Sequence, residues 1–228
     1  MIIDPRRGDG RRDRSAETRD RLLDVGSRVF AARGFDATTT RALAEDAGVN
    51  QAAILYHFGG KEGLYVAVAE AIAARGREAM RPYLPAADSP SALPAPAEAR
   101  ASLGALLRGL VRGLVAVAGD GSAAAFIVRE QANPGPAFER LYAAYILPVH
   151  AHVTALVAAA THRRADDPAA LLDAHAIIGM ALSFVVARET LLRRAGWPEY
   201  TAEQIARIGD AVATLADRAL TPGGTRHV

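Results

Sequence analysis

Apolar residues recur along most of this chain at intervals of three and four, the period of an amphipathic helix, and no segment alternates as a half-buried strand would. A first helix is predicted from about Ser15 to Arg33, with Leu22, Gly26, Val29 and Phe30 on one face and Gly34 as its stop. Thr38-Thr39-Thr40 supplies the N-cap of a short helix over Arg41–Ala47, whose inward positions are Leu43, Ala44 and Ala47. Gly48 marks a tight turn. Asn50 caps a third helix over Gln51–His57, with Ile54 and Phe58 turned inward, and Gly59-Gly60 ends it. Lys61 opens a longer helix with Leu64, Val68, Ala71 and Ile72 on one side.

Residues 81–97 contain five prolines and are expected to form a loop. Helical periodicity then resumes over 98–118 and over 120–132, the latter opened by Asp120. Pro136 can occupy the first turn of a helix running to His162, and Asp167-Pro168 starts another that ends at Gly196-Trp197-Pro198. Thr201 and Gln204 form a capping-box pattern for a last helix to Leu220. The expected fold is all-α with about nine helices. Its parts are a disordered basic arm over 1–14, a three-helix segment over 15–61, a larger helical domain over 62–222 and a tail over 223–228.

Composition narrows the class. Half the residues are hydrophobic and 23% are charged, which suits a packed core and argues against wholesale disorder. There is no cysteine, so disulfides, thiolate zinc sites and thiol nucleophiles are excluded together. The first residues lack the apolar core of a signal peptide, and apolar stretches such as 110–118 and 174–187 are interrupted or too short to span a bilayer. A soluble cytoplasmic protein with no membrane partner is expected. The net charge of +2 lies wholly in residues 1–61, with 11 Lys+Arg against 9 Asp+Glu; residues 62–228 hold 16 of each. This is a weak electrostatic hint of a polyanionic partner, placed at one end.

Three short helices with a glycine turn before the third have the geometry that seats one helix in the major groove of DNA. The segment Thr38–Lys61 resembles the TetR family closely: Gly34-Phe35, the threonine run, Leu43-Ala44, Ala47-Gly48-Val49, Tyr56-His57-Phe58 and Lys61. The resemblance covers residues 18–66 and implies a DNA-binding transcriptional regulator, a repressor acting on a palindromic double-stranded operator. The expected DNA-contacting residues are Thr40, Asn50, Gln51, Ala52, Tyr56, His57 and Lys61. The Gln51 amide suits adenine, and Ala52 or Ala53 suits a thymine methyl. Tyr56, His57, Lys61 and Thr40, with the exposed amides of the second helix, suit phosphates. Leu55 departs from the family pattern, which more often has a tyrosine or another polar residue there.

The second domain holds two parallel stripes on one helix. Leu171, His175, Ile178, Leu182, Val185, Glu189 and Leu192 form one; Leu172, Ala176, Gly179, Ser183, Val186 and Thr190, mostly small, form the other. A helix apolar on two sides is buried on two sides. With Ile205, Ile208, Val212, Leu215 and Ala219 of the last helix, this predicts a homodimer built from helices 168–195 and 201–220. Residues 125–198, with Arg129-Glu-Gln-Ala-Asn-Pro-Gly-Pro136 and Ile146-Leu-Pro-Val-His150, resemble the C-terminal domain of the CerR/CecR subgroup. That resemblance implies regulators of transport or drug-tolerance genes with small-molecule effectors. Arg129, Gln131, Tyr142, Tyr145, His150, His175 and Arg188 are polar groups among apolar helices, and are candidates to line a pocket for a small apolar or aromatic effector. The bland alternative is a satisfied core network. His150, His152 and His175 offer three imidazoles for a metal, but a two-residue spacing puts His150 and His152 on different faces, so neither metal nor cofactor is expected. Two other functions compete: an all-helical enzyme, for which no phosphate loop, His-Glu-x-x-His or Glu-x-x-His repeat is present, and a DNA-binding protein without effector.

Overall fold

A computed structural model describes residues 6–85, 94–116 and 122–221. They are all-α, with no strand among the described residues: α1 Arg6–Arg33, α2 Thr40–Ala47, α3 Ala52–Phe58, α4 Lys61–Met80, α5 Pro96–Ala116, α6 Ser122–Ala132, α7 Phe138–Ala160, α8 Pro168–Val186, α9 Arg188–Ala195 and α10 Ala202–Leu220. Two compact units emerge. One comprises the residues up to Ala73 together with Ala125–Leu141; the other comprises Ala74–Ala124 and everything from Tyr142 onward.

In the first unit, α1, α2 and α3 pack on one another. Leu22, Phe30, Leu43, Ile54, Leu64, Tyr65 and Phe126 are fully buried between these helices, the start of α4 and the end of α6. Tyr65 is the hub. Its ring meets Phe30 edge-on at 4.7 Å, Phe35 at 5.0 Å and Phe126 at 5.0 Å. Its hydroxyl donates to Oε1 of Glu130, a carboxylate that is 1% exposed and also accepts from the Gly135 amide at 3.3 Å. Burial and this bond push the Tyr65 phenol well above its ordinary range. Arg129, beside it, donates to the carbonyls of Ala31 at 3.1 Å and Ala32 at 3.0 Å, two of the groups that the end of α1 leaves open.

The first helix starts earlier than its apolar period suggests. The stretch 1–14, expected as a disordered arm, is helical from Arg6 onward. Once a helix exists, each further residue gains a backbone bond without a new nucleation cost, and no proline interrupts the run after Pro5. Residues 86–93 of the proline-rich stretch and the 223–228 tail lie outside the described residues; within that stretch Arg81–Tyr83 forms a 3₁₀ turn, and α5 begins on Pro96, where a missing N–H costs nothing.

In the second unit α5 is central, packed against α7, α8 and α10. Leu103, Leu106, Leu107 and Val111 of α5 are buried with Val153 and Val157 of α7, Ala174, Ile177 and Ala181 of α8, and Val212 and Ala216 of α10. The ion pairs Arg100–Asp217 (3.3 Å) and Arg108–Asp210 (2.6 Å) flank the contact of α5 with α10. The capping box at Thr201 and Gln204 is present in both directions.

Two helices are less regular than their periodicity predicts. A π turn over Tyr142–Ile146 interrupts α7. Pro148 has no N–H for the carbonyl of Ala144, and Arg77 donates to that oxygen instead at 3.3 Å. The predicted helix 168–195 is broken at Ala187, which is why ten helices replace about nine. The Phe184 carbonyl near the break takes the Tyr200 hydroxyl at 3.1 Å, and the Arg188 guanidinium lies over the Tyr200 ring at 5.3 Å.

By length and composition α7 (mean hydropathy 1.5) and α8 (1.9) are long and apolar enough to cross a membrane, a test that the core helix of a soluble protein also passes. Uninterrupted apolar runs are short here, but a whole helix averages over its few polar residues. Half of the apolar window of α7 is buried; only 22% of that of α8 is.

Candidate nucleic-acid interface

The turn between α2 and α3 is built by short-range chemistry. Thr39 caps α2 by accepting from the Ala42 amide at 3.1 Å. Gly48 closes α2 in the left-handed conformation (φ 62°), which a residue with a Cβ adopts only with strain. Asn50 Oδ1 accepts from the Ala52 amide at 2.8 Å and so starts α3. At the far end, a Cβ on Gly63 would lie 1.8 Å from the Phe58 carbonyl oxygen, so the first turn of α4 can press on α3 only because that residue is glycine. The spacing of apolar residues does not disclose this contact.

Within α3, Ile54 is the residue that is buried. One side of the helix is thereby turned outward: Tyr56 is 81% exposed and Leu55 is 68% exposed, with Gln51 and Ala52 also exposed, while Ala53, His57 and Phe58 are half-buried. Tyr56 stacks edge-on against the His57 ring at 4.9 Å. Gln51 Nε2 donates to Thr40 Oγ1 at 2.7 Å, which joins α2 to the start of α3 and leaves the amide oxygen of Gln51 as its outward acceptor. Leu55 cannot reach a phosphate by hydrogen bonding, but at this exposure its methyls suit a thymine methyl, an apolar contact that the sequence reading did not assign. Lys61 is placed differently from the other six expected contacts. Its Nζ donates to the Phe35 carbonyl at 2.9 Å and sits 4.1 Å from the centre of the Phe35 ring. Part of its bonding capacity therefore holds the loop after α1. Arg19 of α1, not singled out in the sequence, lies over the Phe58 ring at 5.5 Å; its position three residues before Leu22 on one helix face was the available signal.

Comparison with known proteins bears on this geometry. Residues 22–68 match the family described as bacterial regulatory proteins, tetR family, and residues 99–221 match the C-terminal domain of the HTH-type transcriptional dual regulator CecR. The chain is 35% identical to the HTH-type transcriptional dual regulator CecR of Shigella flexneri, over 88% of this chain and 90% of that one. The chain belongs to the TetR family. Its N-terminal part is 39% identical to the HTH-type transcriptional repressor AcnR of Corynebacterium glutamicum, over 29% of this chain and 35% of that one. A TetR-like regulator from Rhodococcus sp. RHA1 shares the fold, with a TM-score of 0.63 at 20% identity over 90% of this chain and 97% of that one. A TetR-family member from Streptomyces coelicolor superposes with a TM-score of 0.59 at 26% identity, over 90% of each chain. This protein is a TetR-family DNA-binding transcriptional regulator, and its relatives in the family are regulators rather than enzymes.

The seven candidate effector-pocket residues of this TetR-family chain fall in both units. Arg129 and Gln131 belong to the first unit, where Arg129 caps α1 and Gln131 is exposed. In the second unit Tyr145 is a core residue, 7% exposed, whose phenol burial pushes up to about 12. Tyr142 is 37% exposed, and Arg188 is bound to Glu189 at 3.2 Å. His150 and His175 do meet, at 3.3 Å. Desolvation and then its histidine neighbour hold His150 below the ordinary imidazole range. A groove of about 370 Å³ between α5 and α10, bordered by Arg100, Gly104, Arg108, Ala213 and Asp217, includes none of the seven.

Proposed function

We propose that this TetR-family regulator works as a homodimeric cytoplasmic repressor that binds a palindromic operator through α3 of each copy and leaves it when a small apolar or aromatic effector binds. In this reading residues 15–61 carry the DNA contacts, and 62–222 carry dimerisation and effector binding. The observation that carries it is the pairing of two exposed faces on one chain. α3 turns outward Gln51, Ala52, Leu55 and Tyr56, a set able to meet both base edges and phosphates. α8 turns outward an aliphatic and small-residue stripe that no other described part of the chain covers well. A dimer seated on α8 and α10 would bury Leu172, Val186 and Leu215, which are 69%, 67% and 50% exposed in the single chain. Two-fold pairing also presents two recognition helices to two half-sites about 34–36 Å apart.

Release by an effector rests on chain connectivity. α4, α6 and α7 each have residues in both compact units, so a state change in the second unit has three covalent routes to the first. A ligand weakens operator binding only by its difference in affinity between the two states, typically about 1–3 kcal/mol of coupling. Transport or drug-tolerance genes are the proposed targets.

The test is a binding assay on the DNA upstream of the protein's own gene, searched for an inverted repeat, against random duplex of equal length. Tighter binding to the repeat supports the reading, and equal binding sinks it. Compounds found by thermal shift are then titrated with and without operator. A ligand whose affinity is unchanged by operator would leave a DNA-binding protein that is not switched by that site. A second reading, activation as well as repression, is favoured by the relative from Shigella flexneri, whose name is that of a dual regulator. Reporter transcription that rises with the protein at any bound promoter would select it.

A further inference from the structure

His150 of α7 and His175 of α8 are 25 residues apart in sequence, and their ring nitrogens Nε2 and Nδ1 approach to 3.3 Å. The contacts of His150 suit one tautomer. The Thr154 hydroxyl donates to the His150 carbonyl at 2.9 Å, so its oxygen is left to accept from Nδ1–H of the same histidine at 3.4 Å. With the proton on Nδ1, the Nε2 lone pair is directed at His175. The 3.3 Å spacing suits two nitrogens sharing one tetrahedral ion, since bonds of about 2.0–2.1 Å at the tetrahedral angle place them about 3.3–3.4 Å apart. Thr154 then stands where a metal-bound histidine normally finds the acceptor for its second N–H. His152 is not part of the arrangement: its ring bonds to the backbone of Tyr83.

We propose that His150 and His175 form a two-histidine chelate for a borderline divalent transition ion of the zinc, nickel or copper class, with the remaining positions filled from outside the chain. Imidazole nitrogen is the donor these ions share, and hard ions such as magnesium or calcium would be refused. No group of three or more His, Asp or Glu ligands exists among the described residues, so the described residues of one chain supply two positions here. His175 is exposed on the same α8 face as Leu171, Leu172 and Gly179. Completion by a second copy rests on the dimer proposed above; binding by the pair itself does not.

The experiment uses the untagged full-length protein, stripped of metal and titrated with Zn²⁺ and Ni²⁺ by calorimetry, with Co²⁺ absorption reporting coordination geometry. Saturable binding is expected, lost in His175→Gln, whose exposed side chain carries little folding risk, and in His150→Gln, and kept in His152→Gln. Thr154→Val should weaken binding roughly 10–100-fold by removing the orienting acceptor. One ion per chain supports a chelate completed by water, and one ion per two chains supports a site shared across the dimer. No saturable binding, or binding unchanged in both His150→Gln and His175→Gln with helicity intact by circular dichroism, overturns the proposal.

Discussion

α3 and α8 expose apolar side chains to a similar degree, Leu55 at 68% on one and Leu172 at 69% on the other, yet their surroundings differ. Around Leu55 lie Gln51, Tyr56 and His57, which offer an amide, a phenol and an imidazole within two turns. Along the face of α8 that carries Leu172 lie Leu171, Ala176, Gly179 and Val186, with His175 and Ser183 as its hydrogen-bonding groups. Lengths differ too: α3 has seven residues and one buried anchor, whereas α8 has nineteen residues with four buried alanine or isoleucine positions. Exposure of an apolar group by itself therefore says little about its partner. The density of donors beside it separates a face for a charged, hydrated polymer from a face for another protein surface.

The largest test of this contrast is salt. Between 50 and 200 mM, operator affinity should fall by roughly 10³–10⁵ if six to ten phosphates are contacted, while self-association through α8 holds or strengthens. Fluorescence anisotropy on labelled operator and sedimentation equilibrium measure the two; a parallel fall in both would erase the distinction. Next in size is Gly179→Arg. No atom lies within 4 Å of a Cβ at this position, so the single chain accommodates the side chain. In the dimer it would bury an uncompensated charge at about 3–5 kcal/mol. Sedimentation velocity should show a folded monomer, and a variant that stays dimeric at micromolar concentration would remove α8 from the interface.

Tyr56→Phe should cost operator binding about 1.5–3 kcal/mol, the scale of one hydrogen bond to a charged group, with thermal stability unchanged because the hydroxyl has no role in the core. A loss of stability without a loss of affinity would instead make Tyr56 a structural residue. The smallest effect belongs to Leu55→Ser. Stability should stay within about 0.5 kcal/mol of the parent, as for a surface change that touches no core. Affinity should drop only for operators with a thymine under that side chain, which a panel of single-base variants would reveal.

Much of the DNA-binding segment was legible because its determinants are local. Thr39, Gly48 and Asn50 act on backbone groups within five residues of themselves, and the buried positions Leu43 and Ile54 follow the helical period. The polar residues of the second domain were not legible in the same way. Arg129 was a candidate for an effector pocket, but it caps α1 some hundred residues earlier in the chain. Glu130, which nothing in the periodicity singles out, is the buried acceptor that fixes Tyr65. A polar residue at an inward position says only that a partner is needed, and nothing in its periodicity names that partner.

The sequence by itself determined the all-α class, the approximate limits of the helices, the turn that presents α3 and the family, because capping, glycine turns and apolar period are properties of neighbouring residues. Only the tertiary structure decided which carbonyl Arg129 and Lys61 hold, that α8 is left largely uncovered, that α7 yields a π turn with Arg77 satisfying the Ala144 oxygen, and that His175 meets His150 while His152 turns away. Those outcomes depend on groups brought together from distant parts of the chain. Their energies come from burial and from pairing that exists only once the helices have packed.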